Sequence, residues 1–460
     1  MIAVQFGDGN FLRGFVDWMI HEMNEASSSF NCDIIVLKAR AGSGLLPDYK
    51  ARNCKYEVHT KGFISGETYR SSTEVHSIKE AFSPYIEQKR YMALAELDEL
   101  KLIFSNTTEA GIYFDDQEKL NDAPAVGYIG KLTQLLFKRY KHYDGDTSKG
   151  VIIIPCELLK GNGTLQKSTL RKYIQLWDLP QGFSDWIDLA CTFCNTLVDR
   201  IITSPTDVAN PLDVQAEPYH IFVIEDYGKL SDLLPSEEAK LNIIFTDDLE
   251  YYRKRKVRIL NGGHTSMVPV GHLAGIETVQ DCMESPFMST FVEQLTYEEI
   301  CLSVNFTEDD AKRYADEVLD RFRNPFLDHQ LLRISLNSIS KLNVRIVPSI
   351  KEYEQITGKL PPRLCFAFAA MLIFYSGKNG NESIPLSDTQ EAKDFFSKLY
   401  TDFPLTAKNS LSITHQVLAN TDFWKEDLNT LAGLTDAISN HIFNILDIGI
   451  KESMAALEAS

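Results

Sequence analysis

The first 24 residues carry the pattern that most constrains the fold of this chain. Residues 2–6 are almost entirely apolar and predict a short buried strand, while residues 10–24 predict a helix. The turn between them reads Gly7-Asp8-Gly9, and its glycines let the backbone approach a ligand closely. Because a helix N-terminus attracts anions, this order of strand, turn and helix predicts a cradle for the phosphates of a nucleotide.

The spacing of the glycines departs from the G-x-G-x-x-G pattern that is typical of dinucleotide-binding turns. Gly7 and Gly9 are followed by Arg13 and Gly14, so a cation precedes the third glycine. The guanidinium of Arg13 could contact a pyrophosphate, or it could simply cover the surface of the helix. The predicted cofactor-binding residues of this segment are Phe6, Gly7, Asp8, Gly9, Asn10, Phe11 and Arg13.

The second predicted strand, residues 33–37, leaves the choice of cofactor open. In a dinucleotide-binding βαβ unit, an acidic residue near the end of this strand usually accepts the ribose hydroxyls. Here the strand is followed by Lys38, Ala39 and Arg40. The two cations could accommodate a 2′-phosphate, or they could be ordinary surface charges. We therefore expect NAD without excluding NADP, and we include Lys38 among the predicted cofactor-binding residues.

Short apolar segments alternate with helical patterns along the first half of the chain. The predicted strands are residues 2–6, 34–37, 102–104, 151–154, 220–224 and 241–245. This alternation predicts a parallel sheet covered by helices. From about residue 257 helical periodicity dominates, without convincing pairs of strands. We therefore predict an α/β protein in which a Rossmann-like doubly wound domain, residues 1–245, precedes a mainly α-helical domain, residues 246–460, with the active site in the cleft between them.

Ligands in such sheets collect at the carboxyl ends of the strands, and this is where Asn106 lies, just after the strand at residues 102–104. We therefore predict that Asn106 is close to the cofactor. An alternative is that this segment starts a helix, with Thr107 or Thr108 capping its free backbone amides. The two roles are compatible.

A second segment suggests acid–base chemistry, and it reads Lys256-Val257-Arg258-Ile259-Leu260-Asn261-Gly262-Gly263-His264. If a helix begins near Asn261, its amide and the imidazole of His264 lie on one face, and Lys256 reaches back from the preceding segment. Neighbouring cations or burial would lower the pKa of the lysine enough for it to act as a base. The segment could remove a proton from an alcohol, although a solvated basic turn is the alternative reading.

Motifs spread along most of the chain resemble those of the long-chain polyol dehydrogenases, the mannitol dehydrogenase group. They are Phe6-Gly7-Asp8-Gly9-Asn10-Phe11-Leu12-Arg13, Phe104-Ser105-Asn106-Thr107-Thr108-Glu109-Ala110-Gly111, Ile154-Pro155-Cys156-Glu157-Leu158, Asn195-Thr196-Leu197-Val198-Asp199-Arg200-Ile201, residues 256–264 and Arg321-Phe322-Arg323-Asn324-Pro325-Phe326. The resemblance implies a nicotinamide-dependent oxidoreductase that uses no metal. Its motifs occur in the same order here as in the family.

The resemblance also implies roles for individual residues. Lys256 is expected to act as general base, Asn261 to stabilise the reacting oxygen and His264 to hydrogen-bond the substrate hydroxyl. Asp199 is expected on the substrate side, and Asn162 is a possible second amide for the reacting oxygen. A basic residue that binds the substrate is expected beyond residue 325, and its candidates are Arg333, Lys341 and Arg345.

Composition limits the classes of binding partner and the cellular compartment that we expect for this protein. The net charge of −18 argues against nucleic acid or an anionic membrane as a partner, so an anionic sugar acid would need a local basic pocket. The cluster of cations at residues 253–258 is a candidate for that pocket. The apolar run at residues 364–375 is too short to cross a bilayer and predicts a buried helix.

The eight cysteines are scattered, which suggests reduced thiols in the cytoplasm, and the N-terminus lacks the pattern of a signal peptide. The pair Cys191 and Cys194 forms a C-x-x-C without a second such pair, so we predict no metal site. The resulting hypothesis is the reduction of a keto sugar acid by a nicotinamide cofactor, or the reverse oxidation. A sibling activity on another uronate or on a neutral polyol is an alternative, as is a nucleotide-binding sensor without catalysis. The sequence makes no prediction of oligomeric state.

Overall fold

The computed structural model describes residues 1–42, 44–107, 111–205, 210–226, 228, 230–304, 306–327 and 329–458. The chain divides into two compact units. Unit 1 comprises Met1–Lys61 and Thr68–Tyr252, and unit 2 comprises Gly62–Glu67 and Arg253–Ser460. The predicted domain boundary at residue 245 and the predicted cleft between the domains stay predictions.

Unit 1 is built on a six-stranded sheet in which every neighbouring pair of strands is parallel. The first eight strands of the chain are β1 (Ile2–Phe6), β2 (Asp33–Leu37), β3 (Tyr56–Ile64), β4 (Glu67–Val75), β5 (Ile78–Phe82), β6 (Leu100–Ser105), β7 (Ile152–Pro155) and β8 (Thr192–Phe193). The sheet has the order β5-β2-β1-β6-β7-β8, so the direction of winding reverses between β1 and β6. This is the doubly wound order, and it confirms the predicted α/β fold.

Both faces of this sheet are buried, which explains why its strands read as continuous apolar runs. Ala3, Ile34 and Leu102 pack into the core on one face. Their neighbours Val4 and Ile35 pack into the core on the other face. The helical segments of this unit are Asn10–Leu12, Arg13–Asp17 (a π-helix), Trp18–Ala26, Leu46–Ala51, Gln88–Ala93, Leu94–Glu96, Tyr128–His142, Thr147–Lys149, Asn162–Leu176, Gln181–Ala190 and Leu249–Arg255.

The remaining strands of unit 1 form smaller sheets. They are β9 (Thr196–Asp199), β10 (Ile202–Thr203), β11 (Val214–Ala216), β12 (Ile221–Glu225) and β13 (Ile243–Thr246). One sheet has the order β10-β11-β3-β4 and another the order β13-β12-β9. The strands predicted at residues 220–224 and 241–245 therefore form, but outside the parallel sheet. Since β12 pairs antiparallel with β9, the prediction that residues 220–224 belong to the parallel sheet is wrong.

Unit 2 is helical, as predicted. Its helical segments are Lys256–Asn261 (π), Gly262–Leu273, Val279–Glu284, Pro286–Gln294, Leu295–Ile300 (π), Cys301–Ser303, Glu308–Phe322, Leu331–Ile334, Ser338–Lys341, Leu342–Ile346 (π), Val347–Thr357, Pro362–Phe374, Gln390–Asp402, Ala407–Asn409, Ser410–Leu418, Thr421–Trp424, Leu428–Thr430, Leu434–Ile448 and Ile450–Glu458. The predicted buried helix forms as Pro362–Phe374, and every residue from Arg363 to its end is buried. It packs against the helices Gly262–Leu273 and Leu434–Ile448.

One prediction for unit 2 is wrong, because a short antiparallel hairpin interrupts the helices. Its strands are β14 (Lys378–Asn379) and β15 (Glu382–Ser383), where the sequence indicated no pair of strands. In the described ranges, no helix combines the length and the apolar character that crossing a membrane requires.

Candidate active site

The predicted cradle lies where the direction of winding reverses, between β1 and β6. Gly7 has φ +132°, a conformation that other residues rarely adopt, and its N–H donates to the Leu37 carbonyl at 2.9 Å. A Cβ on Gly7 would lie 3.0 Å from the Leu12 side chain, whereas a Cβ on Gly9 would meet no atom within 4 Å. Open space at Gly9, directly before the helix, fits the approach of a dinucleotide pyrophosphate.

Arg13 stabilises this turn from within the protein. It is only 1% exposed, so the prediction that it covers the surface of the helix is wrong. Its guanidinium donates to the carbonyls of Leu212 and Asp8 and to the side-chain oxygen of Asn10. These contacts commit Arg13 to holding the turn, and its predicted contact with pyrophosphate stays a prediction.

The end of β2 carries an acidic group that comes from the glycine turn. The ammonium of Lys38 lies 3.6 Å from the carboxylate of Asp8, and both side chains are mostly buried. Arg40, in contrast, is exposed. Asp8 therefore places a carboxylate close to the end of β2, where the sequence Lys38-Ala39-Arg40 has no acidic residue. Because Lys38 pairs with this carboxylate, it is not an ordinary surface charge.

A buried carboxylate that the sequence did not single out organises the segment after β6. Glu157 is 2% exposed, and it accepts the backbone N–H of Thr107 at 2.9 Å and the Ser105 hydroxyl at 3.2 Å. Burial raises the pKa of Glu157. The side chain of Asn106 donates to the Cys156 carbonyl at 2.6 Å, which fixes Asn106 at the carboxyl end of β6. Thr108, the alternative capping residue, lies outside the described residues.

The two predicted substrate-side residues of unit 1 are both buried. Asp199 is the last residue of β9, where it pairs with Ile221 of β12. Asn162 donates to the Glu157 carbonyl at 3.1 Å and to the Thr196 hydroxyl at 2.9 Å. Because an amide has two N–H donors, this geometry leaves none for a reacting oxygen, and the prediction that Asn162 stabilises that oxygen is not supported.

In unit 2 the predicted catalytic trio lies on one continuous helical path. The chain is helical from Leu249, passes through a π-helical turn at Lys256–Asn261 and continues as the helix Gly262–Leu273. The prediction that the helix begins near Asn261 is therefore wrong. Residues five apart lie about 140° apart around an α-helix, whereas a π-turn bonds residues five apart and brings them near one face. The π-turn thus places Lys256 and Asn261 on similar sides of the helix. His264 follows three residues after Asn261 and shares its face.

Aromatic rings surround the imidazole of His264, which is 9% exposed. Its ring centroid lies 4.4 Å from that of Phe322 and 5.0 Å from that of His329. The hydroxyl of Thr265, one helical turn after Asn261, donates to the Asn261 carbonyl at 2.9 Å. These contacts hold the face of the helix that carries Asn261 and His264.

Three of the cations beside Lys256 form ion pairs with two carboxylates. The guanidinium of Arg255 lies 3.0 Å from Asp310, and Arg258 and Lys254 both lie close to Glu352, at 2.9 and 3.1 Å. The predicted basic pocket at residues 253–258 is therefore largely paired within unit 2. Since two carboxylates face three of these cations, the pairing reduces the positive charge around Lys256 without removing it.

Arg345 is the only one of the three candidate basic residues whose side chain is recorded in contact with this helix. It donates to the Thr265 hydroxyl at 3.1 Å and to the Asn261 carbonyl at 3.5 Å. Burial lowers its pKa to about 10. The ammonium of Lys341 donates to the Ile334 carbonyl, and burial together with the charge of Arg345 lowers its pKa. Arg333 is exposed.

Within the part of the chain that the structure describes, no carboxylate lies at ion-pair distance from the Arg345 guanidinium. Two buried arginines of this region, Arg255 and Arg258, each have such a partner. A cation that is removed from water without a counter-ion is a receptor for an anion. Arg345 therefore offers an anionic ligand a charge beside the catalytic trio.

The eight cysteines are all buried and free. Burial raises the pKa of Cys191 to about 12, which makes its thiol a poor nucleophile. Over the described ranges, no three histidine, cysteine or acidic residues come together in a way that could hold a metal ion.

Comparison with known proteins matches both halves of the chain to one family. Residues 1–235 match the mannitol dehydrogenase Rossmann domain, and residues 248–446 match the mannitol dehydrogenase C-terminal domain. An altronate oxidoreductase of Phocaeicola vulgatus is 38% identical over 99% of this chain and 96% of its own length. An altronate oxidoreductase of Escherichia coli O1:K1 is 37% identical, with the same coverage.

Two solved structures of other proteins share the fold of this chain. The Pseudomonas fluorescens mannitol 2-dehydrogenase, in a ternary complex with NAD and D-mannitol, matches with a TM-score of 0.68 and 20% identity over 100% of this chain and 94% of its own. A substrate-free D-sorbitol dehydrogenase matches with a TM-score of 0.81 and 20% identity, over 98% and 94%. With both domain matches in order and relatives aligned along nearly its entire length, this chain belongs to the mannitol dehydrogenase family.

Proposed function

We propose that this protein catalyses the reversible reduction of D-tagaturonate to D-altronate with NAD as its nicotinamide cofactor. The observation that carries the proposal is the 37–38% identity, over 99% of the chain, to relatives named altronate oxidoreductase. The protein is then an oxidoreductase that acts on a CH–OH group. A sibling activity, such as fructuronate reduction or mannitol oxidation, would use the same chemistry with a different pocket.

We assign the dinucleotide to residues 1–245 and the substrate and catalytic groups to residues 246–460. The reversed strand order between β1 and β6 supports the first assignment, because ligands of doubly wound sheets bind at that point. The helix that carries Lys256, Asn261 and His264 supports the second.

The carboxylate of Asp8 supports a preference for NAD over NADP. It lies 3.6 Å from Lys38 at the end of β2, where a carboxylate would accept ribose hydroxyls and would repel a 2′-phosphate. The ion pair also partly neutralises Lys38, which weakens the case for Lys38 as a receptor for that phosphate. Bound at this turn, the nicotinamide supplies the hydride chemistry of the reaction.

The chain's own residues would handle the proton and the oxygen. In the oxidation direction, the amine of Lys256 takes the proton of the substrate hydroxyl as general base. The amide of Asn261 donates to the oxygen as negative charge develops on it, and His264 orients the same hydroxyl. The π-turn at Lys256–Asn261 supports this division of roles, because it brings the base and the amide toward one side.

Arg345 is the residue that we assign to the substrate carboxylate. Its guanidinium contacts the helix at Asn261 and Thr265, and no described carboxylate neutralises it. A planar guanidinium pairs well with a carboxylate, and it would bind a uronate rather than a neutral ketose. Asp199 stays our candidate for a contact with the substrate hydroxyls.

The test is the turnover of purified protein with tagaturonate and NADH, in the wild type and in Lys256→Ala. We expect measurable turnover in the wild type and a loss of roughly 10²- to 10⁴-fold in the variant, the usual contribution of a general base. The dissociation constant of NADH should stay nearly unchanged.

Lys254→Ala is the matched control, because Lys254 pairs with Glu352 and is partly exposed. It should retain wild-type turnover. Near-normal turnover in Lys256→Ala would remove the lysine from its role. NADH binding without turnover of any ketose in the wild type would favour a nucleotide-binding sensor.

A further inference from the structure

A buried acidic residue lies beneath the glycine turn, and it takes no part in the proposed reaction. Asp17 is the last residue of the π-helical segment Arg13–Asp17 and is 0% exposed. Two polar side chains contact it, Gln5 from β1 and Tyr56 from β3. We call Gln5, Asp17 and Tyr56 the Asp17 cluster.

The Asp17 cluster is connected to the backbone of the cofactor turn. The side-chain amide of Gln5 donates to the Gly7 carbonyl at 3.2 Å and to Asp17 Oδ2 at 3.4 Å. The hydroxyl of Tyr56 donates to the Arg13 carbonyl at 2.9 Å and lies 3.4 Å from the same Oδ2 atom. The orientation of the Gln5 amide therefore decides whether the Gly7 carbonyl has a partner.

Two oxygen atoms of the cluster are buried without any hydrogen-bond partner among the described residues. They are Gln5 Oε1 and Asp17 Oδ1, and both are acceptors when Asp17 is ionised. Leaving such buried atoms unsatisfied destabilises the folded protein. One proton on Oδ1 removes both deficits, because a planar amide and a planar carboxyl that share one hydrogen bond can form a second between their remaining oxygens.

We propose that Asp17 carries a proton in the folded protein at mildly acidic pH and donates this hydrogen to Gln5 Oε1. The pairing fixes the Gln5 amide so that its N–H group holds the Gly7 carbonyl. Asp17 is then a positioning residue for the dinucleotide-binding turn. Its link to cofactor affinity rests on the proposed binding of NAD at this turn, whereas its protonation does not.

The surroundings of Asp17 favour the neutral form. Burial raises the pKa of Asp17 to about 7, against the hydrogen bond from Gln5, the charge of Arg13 and the hydrogen bond from Tyr56. The ionisable groups that face it are Arg13 on its own helix, Tyr49 on the helix Leu46–Ala51, Tyr56 on β3 and Cys156 after β7. Burial raises the pKa values of both tyrosines and of Cys156 far above neutrality, so Arg13 is the only charged group of this set at pH 7.

Ionisation of Asp17 would loosen the turn. In the proposed pairing, loss of the hydrogen would leave Oδ1 and Gln5 Oε1 as two acceptors without a donor between them, and the amide would gain by rotating its N–H group toward the carboxylate. The Gly7 carbonyl then loses its donor. We therefore expect the dissociation constant of NADH to rise roughly two- to tenfold between about pH 6 and about pH 8.5, the equivalent of one net hydrogen bond.

The first experiment is a fluorescence titration of NADH over this pH range in the wild type and in Asp17→Asn. The asparagine amide donates to Gln5 Oε1 at every pH, so the variant should bind NADH with a flatter pH profile. Other titrating groups act equally in both proteins and cancel in the comparison. Parallel profiles for the two proteins would overturn the proposed link to the cofactor turn.

The second experiment uses cofactor-free protein, so it is independent of the proposed function. Infrared difference spectra with isotope-labelled aspartate should show a protonated carboxyl band in the wild type at about pH 6 that Asp17→Asn lacks. A wild type without this band would overturn the proposal. If Asp17→Asn does not fold, Tyr56→Phe takes its place: loss of a hydrogen bond that lowers the pKa should move the midpoint of the band to higher pH, and an unmoved midpoint would contradict the proposal.

Discussion

At the scale of single residues, we propose that Arg345 distinguishes a pocket for a sugar acid from a pocket for a neutral polyol. Its guanidinium is partly buried, and its hydrogen-bond partners are neutral oxygens of Asn261 and Thr265. Those oxygens satisfy two donors and leave the positive charge uncompensated. A substrate carboxylate would supply the missing charge at a fixed position relative to the catalytic trio.

Replacing Arg345 by methionine should therefore change specificity more than catalysis. We expect kcat/KM for tagaturonate to fall roughly 10- to 100-fold, because a hydrogen bond to a charged group contributes about 1.5–3 kcal/mol. The kcat/KM for fructose, which lacks the carboxylate, should change little. Steady-state rates on the two ketoses measure this ratio.

Arg171→Met is a matched control, since Arg171 is exposed and pairs with Asp188 on the surface of unit 1. It should leave both rates unchanged. An equal loss on both ketoses in Arg345→Met would show that Arg345 supports the helix rather than the carboxylate.

The sequence alone could not show which of the three candidate basic residues contacts the helix of the predicted trio, because tertiary packing determines that contact. Arg345 and the Asn261 carbonyl are 84 positions apart in the chain, and no local pattern reports their contact. The same holds for the ion pair between Asp8 and Lys38. The trio itself stays a prediction, which the sequence could make because Lys256, Asn261 and His264 are close in the chain.

At the scale of elements, the two glycines of the cofactor turn should respond differently to an added methyl group. Gly7→Ala forces φ +132° on a residue with a Cβ, which would also lie 3.0 Å from Leu12. We expect it to lower the free energy of unfolding by about 1–3 kcal/mol. Urea denaturation of the variant and the wild type measures the difference.

Gly9→Ala is the matched substitution, because Gly9 is extended and a Cβ there meets no atom within 4 Å. Its stability should change by less than about 1 kcal/mol. Its affinity for NADH should nevertheless fall, since the methyl group occupies the space through which the pyrophosphate approaches. Unchanged NADH binding in Gly9→Ala would place the cofactor elsewhere.

The strands of the parallel sheet were predictable because both faces of the sheet are buried, so each strand is a short apolar run between turns. The start of the helix that carries Lys256, Asn261 and His264 was not predictable from the sequence. The sequence suggested a helix that begins near Asn261, whereas the chain is already helical before that residue and continues through Gly262 and Gly263. A Cβ on Gly263 would come within 3.3 Å of the Phe322 ring, so this glycine permits close packing between helices.

At the scale of the whole molecule, the stability of the protein should depend on pH through buried carboxyl groups. Glu299 is 1% exposed and accepts the backbone N–H groups of Arg363 and Leu364, both at 2.8 Å. Burial raises its pKa to about 7, against the hydrogen bonds and the charge of Arg363. Its folded pKa therefore lies above its unfolded value of about 4.3.

The folded protein then binds one more proton at Glu299 than the unfolded chain between about pH 4 and about pH 7. This contribution to stability is complete below the unfolded pKa and is lost as the pH rises through the folded value, by up to about 1.4 kcal/mol per pH unit. Glu299→Gln should remove this dependence. The measurement is the difference in unfolding free energy between wild type and variant at a series of pH values.

Glu298→Gln is the neighbouring control, since the Glu298 side chain is 56% exposed. Its difference from the wild type should vary little over this range. A Glu299→Gln profile parallel to that of the wild type would show that Glu299 is ionised in the folded protein.

The central claim concerns the molecule as a whole: a doubly wound unit and a helical unit together reduce a keto sugar acid. The most direct test compares rates of NADH and NADPH oxidation with tagaturonate, fructuronate and fructose. We predict fast oxidation of NADH with tagaturonate, slower rates with fructuronate and fructose, and a preference for NADH that reflects the carboxylate of Asp8. Equal or faster turnover of fructose would contradict the assignment to a uronate, and no turnover of any of the three would contradict the proposed activity.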